Sequence, residues 1–130
     1  MTRAVTYPIP RCDDAVMYGF GAATLFIVLD AFSGYHQVKL SPTSVPKTAF
    51  HAPYGRKYVW LVMPFGLRNA PAVFVAMMHD LQQLWNSLAQ DKGLTLDDSS
   101  GSRIIIDDVL LFSVSEDSLF LYLECVCMVA

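Results

Sequence analysis

Positive charge is scarce in this chain. Nine lysines and arginines stand against 12 aspartates and glutamates, for a formal net charge of −3, which argues against a strongly basic nucleic-acid module. No apolar run approaches the roughly 18 residues of a membrane span, and residues 1–12 lack the charged-then-apolar pattern of a signal peptide. A soluble intracellular product with no membrane partner is expected, in cytoplasm or nucleus. Cysteine is also sparse: Cys12, Cys125 and Cys127 are odd in number, and Cys125-Val126-Cys127 is too tight for an ordinary disulfide or a lone zinc site. Reduced, mostly packed thiols are expected. The polar stretch 91–102, with Asp97-Asp98-Ser99-Ser100-Gly101, lacks the alternating ligands of a calcium loop and reads as a mobile connection. There is no internal repeat and no evident serine-histidine-aspartate nucleophile.

What is abundant is apolar surface: 54% hydrophobic residues in a chain of 130 suffice for one domain with a real core. The few cations are also segregated. Lys39, Lys47, Arg56, Lys57 and Arg68 fall in a segment with no acid at all, interleaved with Phe50, His51, Tyr54, Tyr58, Trp60 and Phe65. Positive charge beside stacking surfaces suits a single-strand or template-facing groove. An ordinary solvated two-stranded ribbon would look the same.

Asp13-Asp14 can cap a short helix over residues 15–20, after the extended Tyr7-Pro8-Ile9-Pro10. Leu25 to Leu29 is a continuous β-prone run, the pattern of a strand buried on both faces, and it ends at Asp30. Ser33-Gly34 turns the chain. A hairpin is expected from Lys47 to Ala52, over Pro53-Tyr54-Gly55, and back from Arg56 to Val62. Pro71 suits the first turn of a helix running to about Gln90, whose apolar Val73, Phe74, Met77, Met78, Leu81, Leu84, Trp85 and Leu88 form a core-facing stripe. A second hairpin around Asp107-Asp108 and an amphipathic helix from about Glu116 to Met128 complete the order. The class is α+β: a small antiparallel sheet with helices on one face.

Ile104-Ile105-Ile106-Asp107-Asp108-Val109-Leu110-Leu111-Phe112 wedges two aspartates between apolar runs. Adjacent carboxylates there repel and resist desolvation, so they must be solvated, protonated or bound to a cation. Aspartates in a hairpin turn are often merely solvated. Asp30 supplies a third carboxylate at a strand end; if the two strands are neighbours, all three converge at one rim. Such a rim suits two divalent cations, magnesium foremost, in phosphoryl transfer.

Four separated motifs, in order, resemble the reverse transcriptase of gypsy-class LTR retrotransposons: Leu29-Asp30-Ala31-Phe32-Ser33-Gly34-Tyr35-His36-Gln37, Pro46-Lys47-Thr48-Ala49-Phe50, Met63-Pro64-Phe65-Gly66-Leu67-Arg68-Asn69-Ala70-Pro71-Ala72-Val73-Phe74, and Ile106-Asp107-Asp108 with Leu111-Phe112-Ser113. Tyr7-Pro8-Ile9-Pro10-Arg11 fits too. The resemblance implies a palm with part of the fingers of an RNA- and DNA-templated DNA polymerase. Its partners would be an RNA or DNA template with primer, deoxynucleoside triphosphates, and the polyprotein domains outside these residues: amino-terminal fingers, thumb and ribonuclease H. Carried over, Asp30 and Asp107 would bind both magnesium ions, with manganese the alternative; Asp108 would complete the acidic cluster, and the Ala31 carbonyl would be a further metal ligand. Tyr35 matches the aromatic under the incoming sugar that excludes a ribose 2′-hydroxyl; without the resemblance it reads as a core aromatic after a turn. Phe65 and Gly66 match the loop beside nucleotide and template, where glycine permits close backbone approach. Lys47, Arg56, Lys57 and Arg68 become phosphate contacts, equally well read as exposed charges.

One departure from the family pattern is Ile105, which stands where a tyrosine is usual, near the expected primer terminus. The isolated chain is not expected to polymerise, because such enzymes grip their duplex between fingers and thumb. Two other readings remain. Nucleotide cyclases also place carboxylates on a strand end and a neighbouring hairpin, but need neither the Ser33 to Gln37 nor the Pro64 to Leu67 segment. A degenerate or domesticated retroelement remnant would at most bind nucleic acid or a protein partner.

Overall fold

The computed structural model describes residues 7–8 and 19–129. Cys12, the Asp13-Asp14 cap and most of the helix expected over 15–20 lie outside the described residues. The elements are β1 (Leu25–Asp30), the short helix α1 (Gly34–Gln37), β2 (Phe50–His51), β3 (Lys57–Tyr58), α2 (Ala70–Asp91), β4 (Gly101–Ile105), β5 (Asp108–Ser113) and α3 (Glu116–Val129). The main sheet has the order β1-β5-β4, antiparallel throughout. β2 and β3 form a separate small ribbon.

The helices cover one face of that sheet. The apolar stripe of α2 brings Phe74, Met78 and Trp85 into a core shared with Ile104, Val109 and Leu111 of the sheet and with Leu119, Tyr122 and Val126 of α3. Burying each large side chain of this kind contributes about 1.5–3 kcal/mol. A buried polar knot joins the layers: the Ser102 hydroxyl accepts from Gln82 Nε2 at 2.8 Å and Trp85 Nε1 at 3.3 Å, and lies 2.9 Å from the Tyr122 hydroxyl. The Tyr122 hydroxyl donates in turn to Asn86 Oδ1. Cys125 is a buried free thiol and Cys127 an exposed one, so only the first is packed.

Three expectations are corrected. β1 is not buried on both faces: burial alternates along it, with Phe26 48% and Val28 66% exposed. The continuous apolar run belongs to an edge strand, because helices back one side only and β5 pairs only one edge. Part of the open face is closed by aromatics, since the Phe20 ring lies 5.3 Å from Phe26 and 5.2 Å from Phe112. The Lys47–Val62 hairpin is shorter than expected. Val45–Thr48 coils into a 3-10 turn, as Pro46 cannot donate to a ladder. Its return strand leaves the ribbon and ties to 38–40 instead, through Leu40 N–H to the Leu61 carbonyl at 3.0 Å and Met63 N–H to the Val38 carbonyl at 2.8 Å. The 91–102 connection, read as mobile, is pinned by an Asp97 carboxylate that accepts from Ser99 N–H at 2.8 Å and Ser100 N–H at 3.0 Å. Among the described residues, no helix is long and apolar enough to cross a membrane.

Candidate active site

Sheet register decides the site. β1 and β5 pair so that Asp30 stands directly opposite Asp108, and β4 places Ile105 on the other side of Asp108. Cross-strand neighbours point to the same face, so Asp30, Asp108 and Ile105 share one end of the open face. Asp107 sits in the two-residue turn between β4 and β5, beside Ile106, whose φ of 58° is costly for a β-branched residue. The turn is anchored to β1 by the Ala31 N–H, which donates to the Asp107 carbonyl at 3.3 Å. Sequence-remote Asp30-Ala31 and Asp107-Asp108 are thus neighbours through backbone pairing.

Asp107 is electrostatically the most stressed of the three. Burial, then Asp108, then Asp30 push its carboxyl above the ordinary carboxylate range. Its Oδ1 is buried with no hydrogen-bond partner among the described residues. A buried acceptor left unpaired costs about 1–3 kcal/mol, a debt that a cation or a donor from a ligand would relieve. Asp30 and Asp108, by contrast, are exposed. Among the described residues no three His, Cys, Asp or Glu side chains form a group that could hold a metal. With β1 and β5 paired, the carboxylates meet at one sheet end without closing into a cage, since the Asp107 Oδ1 is buried while Asp30 and Asp108 are exposed.

Tyr35 follows β1 on α1 and lies within electrostatic reach of Asp107. Burial first, and the Asp107 charge second, push its phenol upward. Its ring is held edge-on between Phe65 at 5.1 Å and Phe74 at 5.2 Å. Gly34 makes this possible, because a Cβ there would lie 2.6 Å from Phe74 Cζ. Phe65 is 63% exposed, and Gly66 beside it has φ of 84°, a left-handed conformation that glycine adopts without steric cost.

The four cations fall in two places. Lys47 and Arg68 line one cavity with Lys39, whereas Arg56 and Lys57 lie exposed on the β2–β3 ribbon. Sequence reasoning missed His36, whose ring stacks on Trp60 at 5.6 Å and meets Phe65 edge-on at 5.2 Å. It also read Phe74 only as core, although this ring sets the position of Tyr35. Neither carries a local signal, since both roles depend on rings brought in by other segments.

A three-stranded antiparallel sheet open on one face, backed by two helices, with carboxylates on one strand end and on the adjoining hairpin turn, defines a palm-type domain. Residues 4–129 match the family described as Reverse transcriptase (RNA-dependent DNA polymerase), and the chain belongs to that family. It is 38% identical over 113 residues to the retrovirus-related Pol polyprotein from transposon opus of Drosophila melanogaster, covering 87% of this chain and 10% of the relative. Against the Pol polyprotein from transposon gypsy of the same organism it is 34% identical over 110 residues, covering 85% and 9%. Polyprotein P3 of Commelina yellow mottle virus is similar to the same degree, 35% over 113 residues, covering 86% and 5%. The chain thus spans a tenth or less of these relatives. The fold is also that of a Prototype Foamy Virus Protease-Reverse Transcriptase crystal structure, with a TM-score of 0.71 at 21% identity over 97% of this chain and 15% of that one.

Proposed function

We propose that the chain is the palm, with part of the fingers, of a gypsy-class LTR-retrotransposon reverse transcriptase, and that Asp30, Asp107 and Asp108 serve metal-dependent nucleotidyl transfer. The observation that carries this reading is the buried, unpartnered Asp107 Oδ1 at the sheet end where Asp30 faces Asp108. Oxygen ligands of this kind suit magnesium or manganese, and Asp30 and Asp107 would hold the ions with the Ala31 carbonyl. Bound there, the ions would neutralise phosphate charge and stabilise attacking and leaving oxygens. Binding requires Asp107 deprotonated, which its neighbours oppose, so the acidic cluster is poised to gain a cation.

The remaining residues position substrates in this reading. Tyr35, wedged between Phe65 and Phe74, would lie under the incoming sugar and reject a 2′-hydroxyl by steric clash. Phe65 and Gly66 would border the nucleotide. Lys47, Arg56, Lys57 and Arg68 would take template or primer phosphates. Ile105 offers no hydroxyl to the primer end. Polymerisation itself is assigned to the longer polyprotein, because positioning of the duplex supplies much of the rate and the chain covers only a small share of its relatives.

A second reading, a degenerate or domesticated remnant that at most binds nucleic acid or a protein partner, is favoured by one observation: no preformed metal-holding group exists among the described residues. Titration of the chain with Mn2+, followed by electron paramagnetic resonance, separates the two, alongside primer extension in magnesium. Saturable Mn2+ binding that Asp107→Asn weakens at least tenfold supports the metal site. Equal Mn2+ binding by both proteins refutes it and leaves the remnant reading, as does measurable nucleotide incorporation that Asp107→Asn leaves unchanged.

A further inference from the structure

The helices do not fill all the space behind the acidic end of the sheet. A cavity of about 250 Å³, separate from the one that Lys39 lines, opens between the end of β1 and α2. Its walls are apolar: Phe74, Met77, Met78, Leu81 and Trp85 from α2, and Val126 from α3. Phe74, Met78, Trp85 and Val126 are buried core residues. The two methionines are unbranched and polarizable, so they adapt to an irregular guest and favour contact with an aromatic ring.

Volume and charge restrict the ligand. A cavity of about 150 Å³ with Leu, Ile and Phe walls holds benzene, so this one has room for a substituted ring or a fused pair. It falls below the roughly 300–1,000 Å³ of sites for larger molecules, which leaves no room for a nucleotide. Among the described residues no lysine, arginine or histidine lines it, and the exposed Asp30 carboxylate at its border repels anions. Gln37, the other polar side chain of the lining, is already engaged: its Nε2 donates to the Phe32 carbonyl at 2.8 Å. Apolar walls offer water few hydrogen bonds, and an apolar guest gains their dispersion contacts.

Phe32 borders the cavity yet is 86% exposed. Its carbonyl is held by Gln37, and Ser33 beside it has a left-handed φ of 51°. The backbone thus keeps this ring at the rim and leaves the interior to another occupant. We propose that the cavity is a binding site for a compact, uncharged, apolar molecule of one or two rings. The site adjoins the acidic end without belonging to it: Phe74, which holds Tyr35, forms one wall, and Ala31 borders another. It does not rest on the reverse transcriptase reading, because volume, lining and charge alone select the ligand.

The test titrates the whole chain with fluorobenzene, followed by 19F NMR, in EDTA so that the metal proposal has no bearing on it. Saturable binding with a Kd of about 1 mM or tighter is expected, which seven heavy atoms can supply. Fluorobenzoate, the same ring with a carboxylate, should bind at least tenfold more weakly. Met77→Trp, which enlarges a wall side chain, should weaken fluorobenzene binding at least tenfold; if it fails to fold by circular dichroism, Leu81→Trp is read in its place. Leu84→Trp, on the exposed side of the same helix, should change binding less than twofold. The proposal is overturned by no saturable binding up to the solubility limit, by fluorobenzoate binding as tightly, or by equal affinities of wild type and the filled variant. Binding at least tenfold tighter in Phe32→Ala also overturns it, since Phe32 itself would then occupy the cavity in solution.

Discussion

Replacing Gly34 by alanine tests the packing that places Tyr35. A Cβ at this position would stand 2.6 Å from Phe74 Cζ and 2.9 Å from Cε2, whereas carbon atoms in contact rest at about 3.5–4.0 Å. The ring must therefore retreat by about 1 Å, yet Phe74 is 1% exposed and has the Tyr35 ring edge-on at 5.2 Å. Overpacking of this kind costs about 1–3 kcal/mol. Gly34 does not have a left-handed φ, so alanine adds no backbone strain and recovers part of the helix-propensity deficit of glycine, about 0.5–1 kcal/mol. The net expected loss is about 1–2 kcal/mol, read by urea unfolding with the fluorescence of the buried Trp85, or roughly 4–8 °C in Tm. Phe74→Leu alone is expected to cost about 1–2 kcal/mol through lost packing. Because the smaller side chain frees the space that the introduced methyl group needs, the double variant should be more stable than the sum of the single losses by about 1 kcal/mol. A Gly34→Ala protein as stable as wild type, or strict additivity of the two changes, refutes the reasoning.

Ser102→Ala removes the hydroxyl shared by Gln82, Trp85 and Tyr122, leaving buried donors without that acceptor. A loss of about 2 kcal/mol is expected; a change below about 0.5 kcal/mol in urea unfolding would show that the knot is immaterial. Asp107→Asn, in metal-free buffer, should raise Tm by about 4 °C, because the neutral amide removes a partly buried charge and its repulsion by Asp108 and Asp30. The pH profile follows with opposite signs at two carboxylates. Asp107 has a raised folded pKa, so its penalty applies above that pKa and is relieved as pH falls through it. Hydrogen bonds from Ser99 hold Asp97 below the ordinary range, so its contribution is present above the unfolded value of about 3.9 and is lost as pH falls through the folded pKa. Thermal melts should thus show stability rising on mild acidification and falling on stronger acidification. Asp107→Asn should remove the rise only; a rise that persists in this variant contradicts the assignment.

Much of the architecture is legible because it is written in local periodicity. The steps of three and four from Val73 to Leu88 define α2, and the expected span of α3 agrees with the observed one to within a residue or so. The β4–β5 hairpin follows from two apolar runs broken by charge, although its turn falls at Ile106-Asp107 and Asp108 already opens β5. Where local pattern fails, the missing information is about neighbours. The run Leu25 to Leu29 does not say whether one face or two will be covered, and it proves to be an edge strand with Phe26 and Val28 exposed. The five cations of the acid-free segment read as one group, but a crevice claims Lys39, Lys47 and Arg68 and the ribbon keeps Arg56 and Lys57.

From the chain alone came the element types, the α+β class, the family likeness and the identity of Asp30, Asp107 and Asp108 as the residues to watch, since each rests on residue type and short-range spacing. Tertiary structure decided that β5 lies between β1 and β4, which sets Asp30 opposite Asp108 and turns Asp107 inward with an unpartnered oxygen. It also decided that Phe65 and Phe74 hold Tyr35. Those facts depend on contacts between segments distant along the chain, and strand order, facing and enclosed volume exist only once the segments have packed.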